Sequence, residues 1–136
     1  MAPTTLNFNQ QNKVVTLTDA ATITLNCDTT NLGVLLSLSQ TTVFANPTGT
    51  PKNGQLLQLR ITSILSQAIS FGTAYQGASF FALPQFTTGG SKEDYIALRY
   101  NATDAKYDLI GTTIGAIISG ISAAESIAYS LAFGGI

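Results

Sequence analysis

The chain of 136 residues has no histidine and no tryptophan. Catalysis near neutral pH most often recruits an imidazole as acid, base or orienting group, so its absence removes the usual nucleophile–His triads. Cysteine occurs once, at Cys27, which rules out a disulfide within the chain and is compatible with folding in a reducing compartment. With no imidazole to activate its thiol, Cys27 reads as a small buried hydrophobe. There is no CxxC or HxxxH spacing, and Asp94, Asp104 and Asp108 do not fall into a calcium loop, so neither a metal nor a cofactor is expected. Charge is also scarce, at 10% of residues and a net −1. Lys13, Lys52, Arg60, Lys92, Arg99 and Lys106 are scattered, which leaves no stripe to neutralise phosphates and excludes nucleic acid as an expected partner. The start, MAPTTLNFNQQNK, lacks the basic and then apolar pattern of a signal peptide, so assembly in a cytoplasm is the expectation.

Neutral hydrogen-bonding side chains take the place of charge: Thr, Ser, Asn and Gln fill 46 of the 136 positions. A surface built this way has little mutual repulsion between copies, which suits oligomers and large assemblies. The length fits one core. Over the first 110 residues β-branched and aromatic residues recur in short runs, such as KVVTL (13–17), ATITL (21–25) and GVLLSLS (33–39). In QLLQLRIT (55–62) Leu57, Leu59 and Ile61 face one way and Gln58, Arg60 and Thr62 the other, a period of two that predicts a strand with one buried face. Residues 68–71 and 79–83 read as short strands around a bend at 72–77, and DYIALRY (94–100) with KYDLI (106–110) reads as a hairpin closed by NATDA. Two prolines, two glycines and two asparagines make 42–54 (TVFANPTGTPKNG) a predicted loop. No convincing helical period precedes residue 111. The expected fold is all-β, an antiparallel β-sandwich or jelly-roll-like barrel over residues 1–111, followed by an apolar arm over 112–136.

Carboxylate pairs are the remaining candidates for catalysis. Glu93 and Asp94 are adjacent and face opposite ways on a strand, and Asp104 falls in a predicted turn near Asp108, so solvated charge is the expectation for all four. GTPKNG (49–54) lacks the Lys-Ser/Thr ending of a phosphate loop and reads as a turn. Phe71, Tyr75, Phe80, Phe81 and Phe86 lie in the most loop-rich stretch; they suit core packing, with a carbohydrate-stacking groove as the alternative.

Several short stretches occur in a recognisable order. Asn53-Gly54-Gln55 opens the alternating strand Leu56-Leu57-Gln58-Leu59-Arg60-Ile61, and Ser70-Phe71-Gly72-Thr73-Ala74-Tyr75 follows, then Leu83-Pro84. Asp94-Tyr95-Ile96-Ala97-Leu98-Arg99-Tyr100-Asn101 then leads to Lys106-Tyr107-Asp108-Leu109-Ile110-Gly111. This series resembles a small β module of tailed-bacteriophage virion proteins, found in tail fibres, head fibres and capsid decoration proteins. Relatives often carry Trp where this chain has Phe71 and Tyr107. The resemblance implies a non-enzymatic structural protein, commonly a homotrimer, that acts in the virion. Its implied partners are further copies of itself and the major capsid protein or another virion protein. Because the module begins almost at Met1, the expectation is a capsid decoration (cement) protein; the alternative is a tail-fibre or head-fibre tip subunit recognising a host-surface glycan.

The arm ends in GAIISGISAAESIAYSLAFGGI, whose one charge is Glu125. About 20 apolar residues can cross a bilayer. Glu125 and four serines interrupt this stretch and no Lys or Arg flanks it, so membrane insertion is not expected. Ser119, Ser122, Ser126 and Ser130 recur at helical spacing, while Ile121, Ile127, Tyr129, Leu131 and Phe133 also alternate as in a strand, so both periods remain open. Each large side chain covered is worth roughly 1.5–3 kcal/mol. The expected subunit or capsid interface comprises Ile114, Ile117, Ile118, Ile121, Ile127, Tyr129, Leu131 and Phe133.

Overall fold

Alternation of apolar and polar side chains builds nearly every strand of the computed structural model, which describes residues 13–78 and 82–114. The strands are β1 (Val14–Thr16), β2 (Thr22–Asn26), β3 (Leu32–Leu35), β4 (Thr42–Thr48), β5 (Leu56–Ser63), β6 (Ile69–Phe71), β7 (Tyr75–Gln76), β8 (Lys92–Asn101) and β9 (Lys106–Thr112). The described residues contain no helix, and the fold is mainly β. In β5, Leu57, Leu59, Ile61 and Ser63 point inward and Gln58, Arg60 and Thr62 outward, as their spacing predicts. The 94–110 hairpin also forms, with β8 and β9 antiparallel and a register shift between Ala97 and Leu98.

The strands form a six-stranded sheet in the order β1-β3-β5-β8-β9-β7 and a three-stranded sheet in the order β2-β4-β6. The chain therefore crosses from one sheet to the other at each step from β1 to β6, and each full turn lays a strand beside its predecessor in the same direction. Val14 opposes Leu32, which opposes Gln58, while Thr22 opposes Val43, which opposes Ser70; all four pairings are parallel. Among the described strands β5–β8 and β8–β9 pair antiparallel and β7 runs parallel to β9, with one further antiparallel bridge between Ala68 and Phe86. The expected antiparallel arrangement is thus corrected to mixed sheets dominated by parallel winding. Each strand from β1 to β6 is followed by a connection that carries the chain across to the other sheet, where a two-residue hairpin turn would have returned it beside its predecessor. Successive turns span 18 residues (14 to 32) and 26 residues (32 to 58), so the winding leaves no fixed sequence repeat.

Two expected loops are strands. The segment taken for a loop at 42–54 begins with β4, the central strand of its sheet. Pro47 is tolerated there because the ladder shifts register between Thr24 and Asn26, opposite Ala45 and Thr48, and a bulge is where a strand can lose one N–H donor. Tyr75–Gln76, read as part of a bend, pairs with Tyr107 and Asp108. Of the expected strand at 79–83, residues 82 and 83 are not in a strand and the rest lies outside the described residues.

Both sheets contribute to one apolar cluster. Ile23, Leu25, Phe44 and Ile69 come from the smaller sheet, and Leu35, Leu57, Leu59, Ile61, Ile96, Leu98 and Leu109 from the larger. Cys27 is a free, buried thiol within the same cluster. At one rim Asp19 ties the β1–β2 connection to β3–β4 by accepting from the Ser39 hydroxyl (2.5 Å), the Ser39 N–H and the Gln40 amide. The Ser39 hydroxyl holds the Asp19 carboxyl below its ordinary range.

Candidate functional site

Three constellations emerge from the described residues. In the first, five aromatic rings run from the smaller sheet into the larger: Phe44 on Phe71 (centroids 5.3 Å), Phe71 on Tyr75 (5.2 Å), Tyr75 on Tyr107 (6.0 Å) and Tyr107 on Tyr100 (5.1 Å). Four of them, Phe71, Tyr75, Tyr100 and Tyr107, belong to the motif residues quoted above. Phe71 and Tyr75 thus serve core packing and not a sugar-stacking groove, whereas Phe86 is exposed and Phe80 and Phe81 lie outside the described residues. Burial raises the phenol pKa of both Tyr75 and Tyr107, and for Tyr107 the Cys27 thiol adds to the effect. Neither hydroxyl has a hydrogen-bond partner.

This carries a prediction. Folding favours the neutral phenols, so their contribution to stability is complete below the ordinary phenol pKa of about 10 and is lost as pH rises toward the raised values. Urea unfolding should therefore show stability falling above about pH 10. Tyr75→Phe with Tyr107→Phe removes two unpaired buried hydroxyls, and should raise stability at pH 8 by about 1 kcal/mol per site and flatten the alkaline loss. A native chain equally stable at pH 8 and pH 11 would contradict this.

The second constellation brings Asp104 and Asp108 together at the β8–β9 hairpin. The Gln76 amide donates to Asp104 Oδ2 (3.1 Å) and Asp108 Oδ1 (2.5 Å), and the Asn101 amide to Asp104 Oδ2 (3.1 Å) and Asp108 Oδ2 (3.2 Å). Two neutral amides thus hold two acceptor-only groups side by side, an arrangement that organises the turn. The sequence marked both aspartates but not Gln76, whose place depends on a strand, β7, that no pattern announced. The other carboxylate pair separates: Glu93 forms an ion pair with Arg60 on the outer face, while Asp94 points inward to Thr88. Among the described residues no three His, Cys, Asp or Glu side chains group closely enough to hold a metal ion.

The third is an open cleft of about 500 Å³ lined by Lys13, Cys27, Asp28, Asn31, Thr50 and residues 52–55. The GTPKNG turn supplies one wall and leads into β5, a strand. Gly49 sits at φ 99°, and a Cβ there would lie 2.8 Å from the Cys27 sulfur, so the wall needs glycine. Three of its donors are engaged locally: Lys13 Nζ donates to the Asp28 carbonyl (2.8 Å), Gln55 Nε2 to the Cys27 carbonyl (2.8 Å), and the Thr50 N–H to Asp28 Oδ1 (3.0 Å). The Cys27 thiol, itself buried, donates to Asp28 Oδ1 (3.9 Å), a carboxylate that also accepts the Thr50 N–H. The chemistry of the cleft is that of a polar surface stitched by its own side chains.

Of the predicted interface residues, Ile114 follows β9 and packs partly buried against the core. Ile117, Ile118, Ile121, Ile127, Tyr129, Leu131 and Phe133 lie outside the described residues. No helix of the described residues is long and apolar enough to cross a membrane. No family model matches the chain, and comparison with curated proteins and with solved structures finds no match.

Proposed function

We propose that the chain is a non-enzymatic structural protein of a tailed-bacteriophage virion, a capsid decoration (cement) protein. It binds the major capsid shell as a homo-oligomer, a homotrimer in the form the resemblance implies, after assembly in the host cytoplasm. The observation that carries this reading is the convergence of Phe71, Tyr75, Tyr100 and Tyr107 in one aromatic ladder, which makes the quoted motifs a single structural unit. On this reading the two sheets are the layers of a β-sandwich, the low-charge polar surface suits dense packing of copies, and the apolar segment 112–136 makes the subunit or capsid contact.

A second reading, a head-fibre or tail-fibre tip that recognises a host-surface glycan, is favoured by the parallel winding. Strands added turn by turn extend a protein along an axis, the growth mode of fibrous modules. Stoichiometry separates the two. Quantitative mass spectrometry of the particle carrying this chain should find hundreds of copies, in fixed proportion to the major capsid protein. A few dozen copies or fewer would replace the cement reading with the fibre reading, and absence from the particle would overturn both.

A further inference from the structure

We infer that residues 115–122 (GAIISGIS) cover the apolar β5–β6 corner of this same chain and so tie the first part of the C-terminal segment to the body. That corner carries the two most exposed large apolar side chains among the described residues, Ile64 and Leu65, each 68% exposed. Both sit on a turn that is held in place. The Gly90 N–H donates to the Ile64 carbonyl (2.7 Å) and the Ser91 N–H to the Ser63 carbonyl (2.8 Å). A Cβ at Gly89 would lie 2.6 Å from the Ser66 nitrogen, so the two loops touch only because residue 89 is glycine. Large side chains displayed on a clamped turn cannot swing into the core, and they gain by being covered from outside. Phe86, also exposed, opposes Ala68 on the strip that borders the same connection.

The point at which β9 delivers the chain names the occupant. β9 runs in the same direction as β5, with β8 between them, so both strands finish at this end of the sheet. The Thr113 N–H donates to the Tyr95 carbonyl (3.0 Å), and Tyr95 opposes Arg60. Ile114 is thus level with Asp94 and Ile61, short of Ile64 along the strands and two strands aside. At about 3.3 Å per residue and about 4.8 Å per strand, Ile114 stands roughly 14 Å from Ile64, which about four or five extended residues span. Ile117, Ile118 and Ile121 are the large side chains within that reach. Ile114 is itself partly buried against the core, so the chain still follows the body where the segment begins. Charge agrees with this placement. Lys92 is exposed opposite Ser63 at the corner, residues 115–122 carry no charge, and the first charge beyond them is the negative Glu125. A tether this short presents the segment at an effective concentration of about millimolar, which favours its own corner over that of a second copy at micromolar concentration. The inference goes beyond the reading proposed above and leaves Ile127, Tyr129, Leu131 and Phe133 for the subunit or capsid contact.

Hydrogen exchange and cross-linking of the full chain test it. In the native chain the amides of Ile117, Ile118 and Ile121 should exchange at least about tenfold more slowly than in Ile64→Asp with Leu65→Asp, whose exposed positions leave the far-UV circular dichroism unchanged. Equal exchange in the two proteins overturns the inference. Leu65→Cys with Ile118→Cys, treated with a short bismaleimide at micromolar protein, should be joined within one chain and stay at monomer mass, at a rate independent of protein concentration. A product at dimer mass overturns the inference, since the corner of a second copy would then hold the segment, and so does a failure to cross-link. Thr24→Cys with Ile118→Cys places the first thiol on the outer face of the smaller sheet and should remain unjoined; a join as ready as that at Leu65 would mean that the segment has no seat at the corner. Particle stoichiometry tests the virion reading separately, so either can fail without the other.

Discussion

Phe44→Ala should destabilise the protein by about 3–5 kcal/mol, the largest loss expected from any single truncation in this core. Phe44 is fully buried in β4, the middle strand of its sheet, opposite Ile23 on one side and Phe71 on the other. Its ring stacks on Phe71 at an interplanar angle of 22° and begins the ladder that ends at Tyr100. Truncation removes the transfer energy of the ring and leaves a void between two hydrogen-bonded sheets, whose strands cannot close in without breaking ladder bonds. Most small domains have only about 5–15 kcal/mol in total, so the variant should sit close to unfolding at room temperature. Denaturant unfolding measures this directly. Val43→Ala, one residue away on the exposed face, is the internal comparison and should cost under about 1 kcal/mol. Equal losses at 43 and 44 would mean that β4 does not present its faces as described.

The difference between these neighbours shows what the sequence could reveal. Alternation reports which side chains point inward, so β5, β8 and β9 were legible from Leu57, Leu59 and Ile61, from Ile96 and Leu98, and from Tyr107 and Leu109. The burial of Cys27 was readable from the absence of an imidazole to activate it. Alternation carries no information on the direction of a strand's neighbour, and parallel winding was therefore invisible. It was masked further by turns of unequal length. β4 was missed because Asn46 and Pro47 signal a loop; only the tertiary register reveals that they occupy a bulge. There the Asn46 side chain accepts the Ala74 N–H (2.8 Å), which fixes the entry to β7.

The candidate site was legible to a lesser degree, for the same reason. The ladder residues at 44, 71, 75, 100 and 107 are far apart in the chain, and only the order of the flanking motifs hinted that four of them belong together. The Asp104 and Asp108 pair was visible as two nearby carboxylates. Its chemistry depends on Gln76, brought alongside by a two-residue strand too short to produce a pattern.

Asp94→Ala is expected to cost about 2–4 kcal/mol and to loosen one edge of the smaller sheet before the rest of the fold. Asp94 is an inward-facing, almost fully buried carboxylate on β8, opposite Ile61. It accepts the Thr88 N–H (2.8 Å) and the Thr88 hydroxyl, and so anchors the segment that runs along β6. That segment is sewn down at several further points. The Ile69 N–H donates to the Gln85 carbonyl (2.9 Å) and the Thr87 N–H to the Gln67 carbonyl (2.9 Å), while the Ser66 hydroxyl donates to the Thr87 carbonyl (2.6 Å). Hydrogen bonds to a charged group are worth about 1.5–3 kcal/mol each, and alanine would leave the Thr88 donors unmatched beside a small void. Asparagine keeps one acceptor, so Asp94→Asn should lose about half as much. The consequence for association is direct: releasing residues 85–88 uncovers the edge of β6, and an open strand edge is a template for non-native pairing. Hydrogen exchange should show the amides of Ile69 and Thr87 exchanging faster in Asp94→Ala, while those of Leu57 and Leu59 retain protection to the level of global unfolding. If all four amides changed together, the segment would be part of the cooperative core and not an edge that opens separately once Asp94 is lost.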